Sequence, residues 1–238
     1  MIILLPPSEG KATGGAPRTG WDSAAGLTGP ALGTMRDTVA AALRRTRGGD
    51  EKLLGVKGEP LARARSANVS LKGAPTLPAW QRYTGVVWDH LDLASLPAAR
   101  RRTAVTSILV PSGLLGVVRA DEQVPDYKLK MGASIAPVGK LATYWRAAVT
   151  AEIARLARGR TIVDLLPKEH ASAVEWDRLD GVIHVDLVSR TGGAVGGHNA
   201  KAAKGLLARH LLDRADGSTV GRAVASFRHH EYRAQVRT

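Results

Sequence analysis

The chain opens Met1-Ile2-Ile3-Leu4-Leu5-Pro6-Pro7-Ser8-Glu9-Gly10-Lys11. The run Ile2–Leu5 is apolar without interruption, and two prolines stop it, so it reads as a buried strand. Further along, Thr103–Val110 is β-branched and apolar and ends at Pro111-Ser112-Gly113. Thr161–Leu166 ends at Pro167, Val182–Val188 alternates, and Ala223–Phe227 is a last short apolar run. Each reads as a strand. Between them lie helical patterns. Met35–Arg47 has Met35, Val39 and Leu43 on one stripe. Glu59–Val69 has Pro60 in its first turn. Ala79–His90 turns Trp80, Tyr83, Val87 and Trp88 inward. Lys140–Ala157 has apolar residues near 3.6 spacing, and His198–Leu212 follows a glycine-rich turn at 192–197. Strands alternating with helices predict the α/β class, a sheet with helices on its faces. With no repeat and no clean linker, residues 1–238 read as a single domain. Gly10–Gly33 reads as a long loop. Asp126–Met131 reads as a short strand with Lys128 and Lys130 on one face.

Composition narrows the function. Among 238 residues, 34 Lys+Arg stand against 21 Asp+Glu, a formal net charge of +13. Such an excess favours polyanionic partners: nucleic acid, phosphates or acidic metabolites. There is no cysteine. That excludes a disulfide framework, a thiolate metal site, a thiol peroxidase and a thiol redox sensor. No apolar run approaches the roughly 20 residues that span a bilayer. The opening lacks the basic region and cleavage site of a signal peptide. A soluble, cytoplasmic protein with no membrane partner is the expectation.

Three stretches can carry chemistry. Ser8-Glu9-Gly10-Lys11 follows the first strand, where open α/β sheets place ligands. It is not a P-loop, because Leu5 stands where that motif needs Gly and Ala12 where it needs Ser or Thr. It also matches S-x-x-K, without the partner motifs of serine acyl-enzymes. Gly192–Gly205 follows a strand and opens a helix, where backbone N–H groups can hold an anion, and Lys201 and Lys204 share a face there. Pro111–Arg119 holds Ser112, Gly113 and Gly116 in a turn whose backbone can approach a phosphate. Tyr127 between basic residues suits contact with a base or sugar. Asp164 and Glu169 flank Pro167 at a strand end, a place for acid/base work. His184 and Asp186 share a strand face as a core pair. The seven histidines show no metal-ligand spacing, so neither metal nor cofactor is expected.

Several of these pieces line up with one family. They are the opening strand with Pro6–Lys11, Tyr83-Thr84-Gly85, and Ser112-Gly113-Leu114-Leu115-Gly116-Val117-Val118-Arg119. Asp121, Pro125–Gly132, Tyr144-Trp145, Asp164-Leu165, Glu169-His170 and Lys201–Gly205 follow in order. In these the sequence resembles the YaaA family of peroxide-stress-response proteins, over nearly the whole chain. The resemblance implies one α/β domain with a mixed sheet and a basic cleft. It also implies a cytoplasmic role in limiting iron-dependent oxidative damage, and DNA binding through a helix-hairpin-helix-like element, which by position corresponds to Ser112–Arg119.

Two functional expectations follow. In the first, the protein binds DNA, duplex or distorted, through Lys11, Ser112, Gly113, Gly116, Arg119, Tyr127, Lys128, Lys130, Lys201 and Lys204. In the second, it is an enzyme for an anionic, nucleotide-like small molecule. Its catalytic groups then come from Ser8, Lys11, Ser112, Asp164, Glu169 and Lys201 in a closed pocket.

Overall fold

The computed structural model describes residues 1–193, 195–215 and 219–237, with side chains at 17–19 left out. Its centre is a six-stranded mixed sheet. The strands are β1 (Ile2–Leu4), β2 (Ile108–Ser112), β3 (Gly116–Arg119), β4 (Ile162–Asp164), β5 (Val182–Ser189) and β6 (Tyr232–Val236). They lie in the order β6-β5-β4-β1-β2-β3. The strands β5, β4, β1 and β2 are parallel to one another, while β3 and β6 run antiparallel at the two edges. The apolar opening run thus becomes a central strand, with every residue from Ile2 to Leu5 buried. Leu5 N–H still donates to Leu109 O, and then Pro6 and Pro7, with no N–H to give, end the ladder.

From β1 the chain crosses to β2 on one side, and later to β4 on the other. The strand order therefore reverses between β1 and β4. A crevice opens at such a point beyond the carboxyl ends of the strands. The segments after β1, β2 and β4, namely Ser8–Lys11, Gly113–Leu115 and Leu165–His170, all emerge at that edge. The helices include α1 (Gly29–Arg45), α2 (Glu51–Leu54), α3 (Gly58–Val69), α4 (Val86–Leu91), α5 (Leu141–Ala157) and α6 (Gly197–Arg214), of which α2 and α3 share a small core of their own made by Leu54, Leu61 and Ala64. One core cluster runs from Ile2 to Phe227. No helix among the described residues is long and apolar enough to cross a membrane.

Several expectations need correction. The loop expected at Gly10–Gly33 contains paired segments Gly10–Lys11 and Ala16–Gly20, and α1 starts at Gly29, before Met35, with Pro30 in its first turn. The helix expected over Ala79–His90 is broken. A turn of helix at Ala79–Arg82 gives way to Tyr83–Thr84, which pairs antiparallel with Gly10–Lys11. Gly85 then takes φ +129°, a region open to glycine, before α4 begins. Thr103–Val105 belongs to a helix, Ala98–Val105, and the strand starts only at Ile108. Ala223–Phe227 is not a strand: Val220–Ser226 is helical and the last strand is Tyr232–Val236, in the basic tail. The glycine-rich turn at 192–197 includes residue 194, which lies outside the described residues.

Asp126–Met131 joins no sheet, and Met131 already lies in a turn. The buried amide of Asn68 does the work of a neighbouring strand. Its Nδ2 donates to Lys128 O at 2.9 Å, and Lys128 N–H donates to its Oδ1 at 2.9 Å. The alternation read from the sequence survives, and Lys128 and Lys130 both reach Glu9.

Candidate functional site

The paired segments Gly10–Lys11 and Tyr83–Thr84 fix the position of Lys11. Arg82, wholly buried, secures the loop beyond it by donating to the carbonyls of Ala12, Gly14, Pro75 and Val124. Lys11 Nζ lies 4.1 Å from the centroid of the Tyr127 ring and 5.6 Å from that of Tyr83. It donates to Ser8 O at 3.1 Å. The Ser8 hydroxyl is turned to Gly10 O, within its own turn. A cavity of about 310 Å³ opens beside Lys11, walled by Glu9, Val56, Arg63, Asp126, Tyr127 and Lys128 among others.

The charges around this cavity are unequally shared. Glu9 meets Lys128 at 3.4 Å and Lys130 at 3.5 Å. Asp126 meets Arg63 at 3.0 Å, and the same guanidinium donates to Lys11 O at 3.1 Å. Among the described residues, no carboxylate lies within ion-pair distance of Lys11 Nζ. Burial strips water from its ammonium and pushes its pKa down to about 7, against the opposing pull of Asp126. Burial also works to raise Glu9, but Lys128 and Lys130 hold it below the ordinary carboxylate value. Under Lys11, the Tyr127 hydroxyl lies 2.7 Å from Ser112 Oγ and 2.9 Å from the Tyr83 hydroxyl. Burial pushes Tyr127 up to about 12, so it stays a neutral phenol.

One wall of the cavity is a helical hairpin. Asp50 caps α2 by accepting from Leu53 N–H, and Gly55, at φ +67°, ends it. Gly58, at φ +58°, opens α3. The turn between them is mostly exposed, and a Cβ at Gly55 would stand 3.1 Å from Lys130 Nζ. Two helices joined by a glycine-framed turn are thus present at 51–69. The resemblance placed such an element at Ser112–Arg119, and there the structure has a β-hairpin instead.

The glycines of that β-hairpin serve packing. A Cβ at Gly113 would stand 2.7 Å from Lys130 O, and one at Gly116 2.8 Å from the Trp145 ring. Trp145 Nε1 donates to Gly113 O at 2.9 Å. Ser112, Gly113 and Gly116 are buried, so their backbone is closed to a phosphate. Arg119 pairs with Leu109 in the ladder, at the end of the sheet away from Ser112, and its guanidinium grips Asp121 at 2.6 Å. It does not join the lysines.

A second group sits where β4 ends, beside the first half of β5. Asp164, 5% exposed, accepts from Leu166 N–H at 2.8 Å and from His184 Nδ1 at 2.8 Å. His184 is therefore the partner of Asp164 on the adjacent strand, not of Asp186, which binds Arg237. Trp176 packs edge-on against His184 with centroids 4.7 Å apart. Lys204 donates to Leu165 O at 2.6 Å, and desolvation lowers its pKa. Its ammonium ties α6 to the end of β4. Glu169 accepts from Gly132 N–H at 2.8 Å. His170 Nδ1 is buried without a hydrogen-bond partner, and desolvation holds the ring below its ordinary pKa. Lys201 is exposed on α6, just past its first turn.

The structure thus brings Ser8, Lys11, Tyr127, Lys128 and Lys130 together, with Ser112 beneath them. It gathers Asp164, Glu169 and Lys204 into a neighbouring cluster. Arg63, Asn68, Arg82, Asp126 and the 51–58 turn escaped the sequence reading. Only Gly55-Val56-Lys57-Gly58, glycines framing a lysine ahead of a helix, carried a local signal. No group of three or more His, Asp or Glu among the described residues is placed to hold a metal ion.

Comparison with known proteins agrees over the full length. A family model described as "Peroxide stress protein YaaA" matches residues 1–236. A UPF0246 protein of Streptomyces coelicolor is 38% identical over 223 residues, covering 89% of this chain and 83% of the relative. A UPF0246 protein of Corynebacterium efficiens is 32% identical over 234 residues, covering 94% and 90%. The chain belongs to the YaaA family of peroxide stress proteins.

Proposed function

We propose that the protein serves peroxide stress as a nucleic-acid-binding protein of the cytoplasm. The hairpin Glu51–Val69 engages the phosphate backbone, and the Lys11 cavity takes a nucleotide unit, duplex or distorted DNA being the natural partner. Coverage of DNA in this way limits iron-dependent damage to it. One observation carries the reading: an exposed turn framed by two left-handed glycines forms the wall of a lysine-lined cavity. Lys52, Lys57, Arg63 and Arg65 lie exposed on the same hairpin. Exposed backbone N–H groups and cations of this kind position phosphates without reading sequence.

Fluorescence anisotropy with duplex and bulged DNA across a salt series tests it. Binding at 1–100 µM near physiological salt is expected, as an order of magnitude, with a steep salt slope. Lys52→Glu/Lys57→Glu should weaken binding about tenfold or more and lower the slope by about 2, while Lys201→Glu should do neither. Weak binding that the hairpin variant leaves unchanged would sink the reading.

The amine of Lys11 favours a second reading, an enzyme acting on a small molecule in the same cavity. A lysine with about half of its amine neutral at pH 7 can serve as a base or nucleophile, roles for which an ordinary surface ammonium is unfit.

A further inference from the structure

We propose that Lys11 is an imine-forming amine: the cavity beside it receives a small aldehyde, which Nζ captures as a Schiff base. The inference rests on the second reading and needs no nucleic acid. Its geometric basis is the way the cavity distributes its charges. Glu9 is held by Lys128 and Lys130, and Asp126 by Arg63, so the cations that could have been spectators take the carboxylates and leave Lys11 without one. The amine lines open space instead of filling core. Its partners, Ser8 O at 3.1 Å and the Tyr127 face at 4.1 Å, hold it in place without demanding that it be charged.

The same surroundings suit the product. An ammonium is compact and strongly hydrated, so losing its water is expensive. An iminium spreads its charge over nitrogen and carbon and is less dependent on water. The Tyr127 ring face stabilises such a cation. The Asp126 carboxylate, which already favours positive charge on Lys11, does so as well. The site thus disfavours the protonated amine and supports the cation formed from the neutral one.

The step balances without any further reagent. The Nζ lone pair adds to the carbonyl carbon as the C=O π pair moves to oxygen. One N–H proton passes through water to that oxygen, giving a carbinolamine. Expulsion of the hydroxyl group, protonated to leave as water, gives the iminium. One neutral amine, one aldehyde and one proton taken from solvent become one iminium and one water, and nothing is oxidised or reduced.

The test is reductive trapping on the full-length protein with glycolaldehyde and sodium cyanoborohydride from pH 6 to 9, mapped by peptide mass spectrometry. Lys11 should be modified at least about 30-fold faster than exposed Lys72 at pH 7. Its rate should level off above pH 7, whereas an ordinary free lysine amine reacts about tenfold faster with each unit of pH over this range. Lys11→Arg should remove the fast site and leave Lys72 labelling unchanged. Labelling of Lys11 no faster than Lys72 across the range would overturn the proposal. A parallel thermal-shift titration with AMP separates the two ideas. Stabilisation by AMP that Lys11→Met reduces, with no fast labelling, would overturn the imine while leaving a small-molecule site standing.

Discussion

At Lys11 the fold works against a charge. The ordinary lysine pKa of 10.5 falls to about 7 in the native state because burial removes hydration that Ser8 O, the Tyr127 ring face and the pull of Asp126 replace only in part. Below pH 7 both native and unfolded chains carry the charge, and the whole desolvation penalty counts against folding. As pH rises from 7 to about 10.5 the native amine is neutral while the unfolded one still binds a proton, so the penalty shrinks. Lys11→Met, which keeps the stem and removes the amine, is therefore expected to stabilise the protein at pH 6 by about 1–3 kcal/mol, with the gain gone by pH 10.5. Urea unfolding at pH 6, 8 and 10 measures this, and a gain equal at all three would contradict a depressed amine. Tyr127→Phe is a companion case. It removes the hydroxyl between Ser112 and Tyr83, leaving both buried groups without that partner, and should cost about 1–3 kcal/mol at any pH below 10 in the same assay.

The elements that present Lys11 and Lys128 are held by pairings that no local pattern announces. Asn68 sits on α3 with its side chain fully buried, bonded to Gly48 O and to both polar groups of Lys128. Asn68→Leu keeps much of the volume and strands three backbone groups, so a loss of about 3 kcal/mol or more is expected, read as a fall in urea midpoint. Asn68→Asp, which keeps an acceptor for Lys128 N–H, should cost less; equal losses would mean that the pairing with Lys128 is unimportant. This explains what the sequence could and could not disclose. Ile2–Leu5 and Lys140–Ala157 were legible because apolar runs and 3.6 periodicity follow directly from burial. Tyr83–Thr84 was not, since its apolar spacing continues a helical stripe and only pairing with Gly10–Lys11 makes it extended. The glycines of Ser112–Gly116 were legible as a turn, but their reason, the Trp145 ring and the Lys130 carbonyl, lies far along the chain. The side chains of the candidate site fared likewise. Lys11 could be singled out by its place after a strand, while its two aromatic neighbours and the hairpin beside it come from distant segments.

Over the whole molecule, 21 acidic residues cannot neutralise 34 basic ones. Even with Arg63, Arg100, Arg155, Arg178, Arg209 and Arg237 each beside a carboxylate, the net +13 remains on a body of about 25 kDa. Like charges packed closer than a Debye length, about 10 Å at 0.1 M salt, repel one another and oppose the compact state. Two opposite salt effects follow. Adding sodium chloride from 10 to 300 mM should raise Tm by about 2–4 °C, the shift that roughly 1 kcal/mol gives a chain of this size. The same salt should weaken any polyanion that binds, because the counterions released on binding become costly to release. Inorganic polyphosphate added at 10 mM salt should therefore raise Tm more than sodium chloride does at the same ionic strength, and this surplus should vanish at 300 mM. Scanning calorimetry along both axes is the measurement. If polyphosphate merely matches chloride at equal ionic strength, the excess charge is diffuse and only screened. If the surplus appears and Lys52→Glu/Lys57→Glu removes most of it, the excess is gathered at the hairpin beside Lys11, where a polyanion can use it.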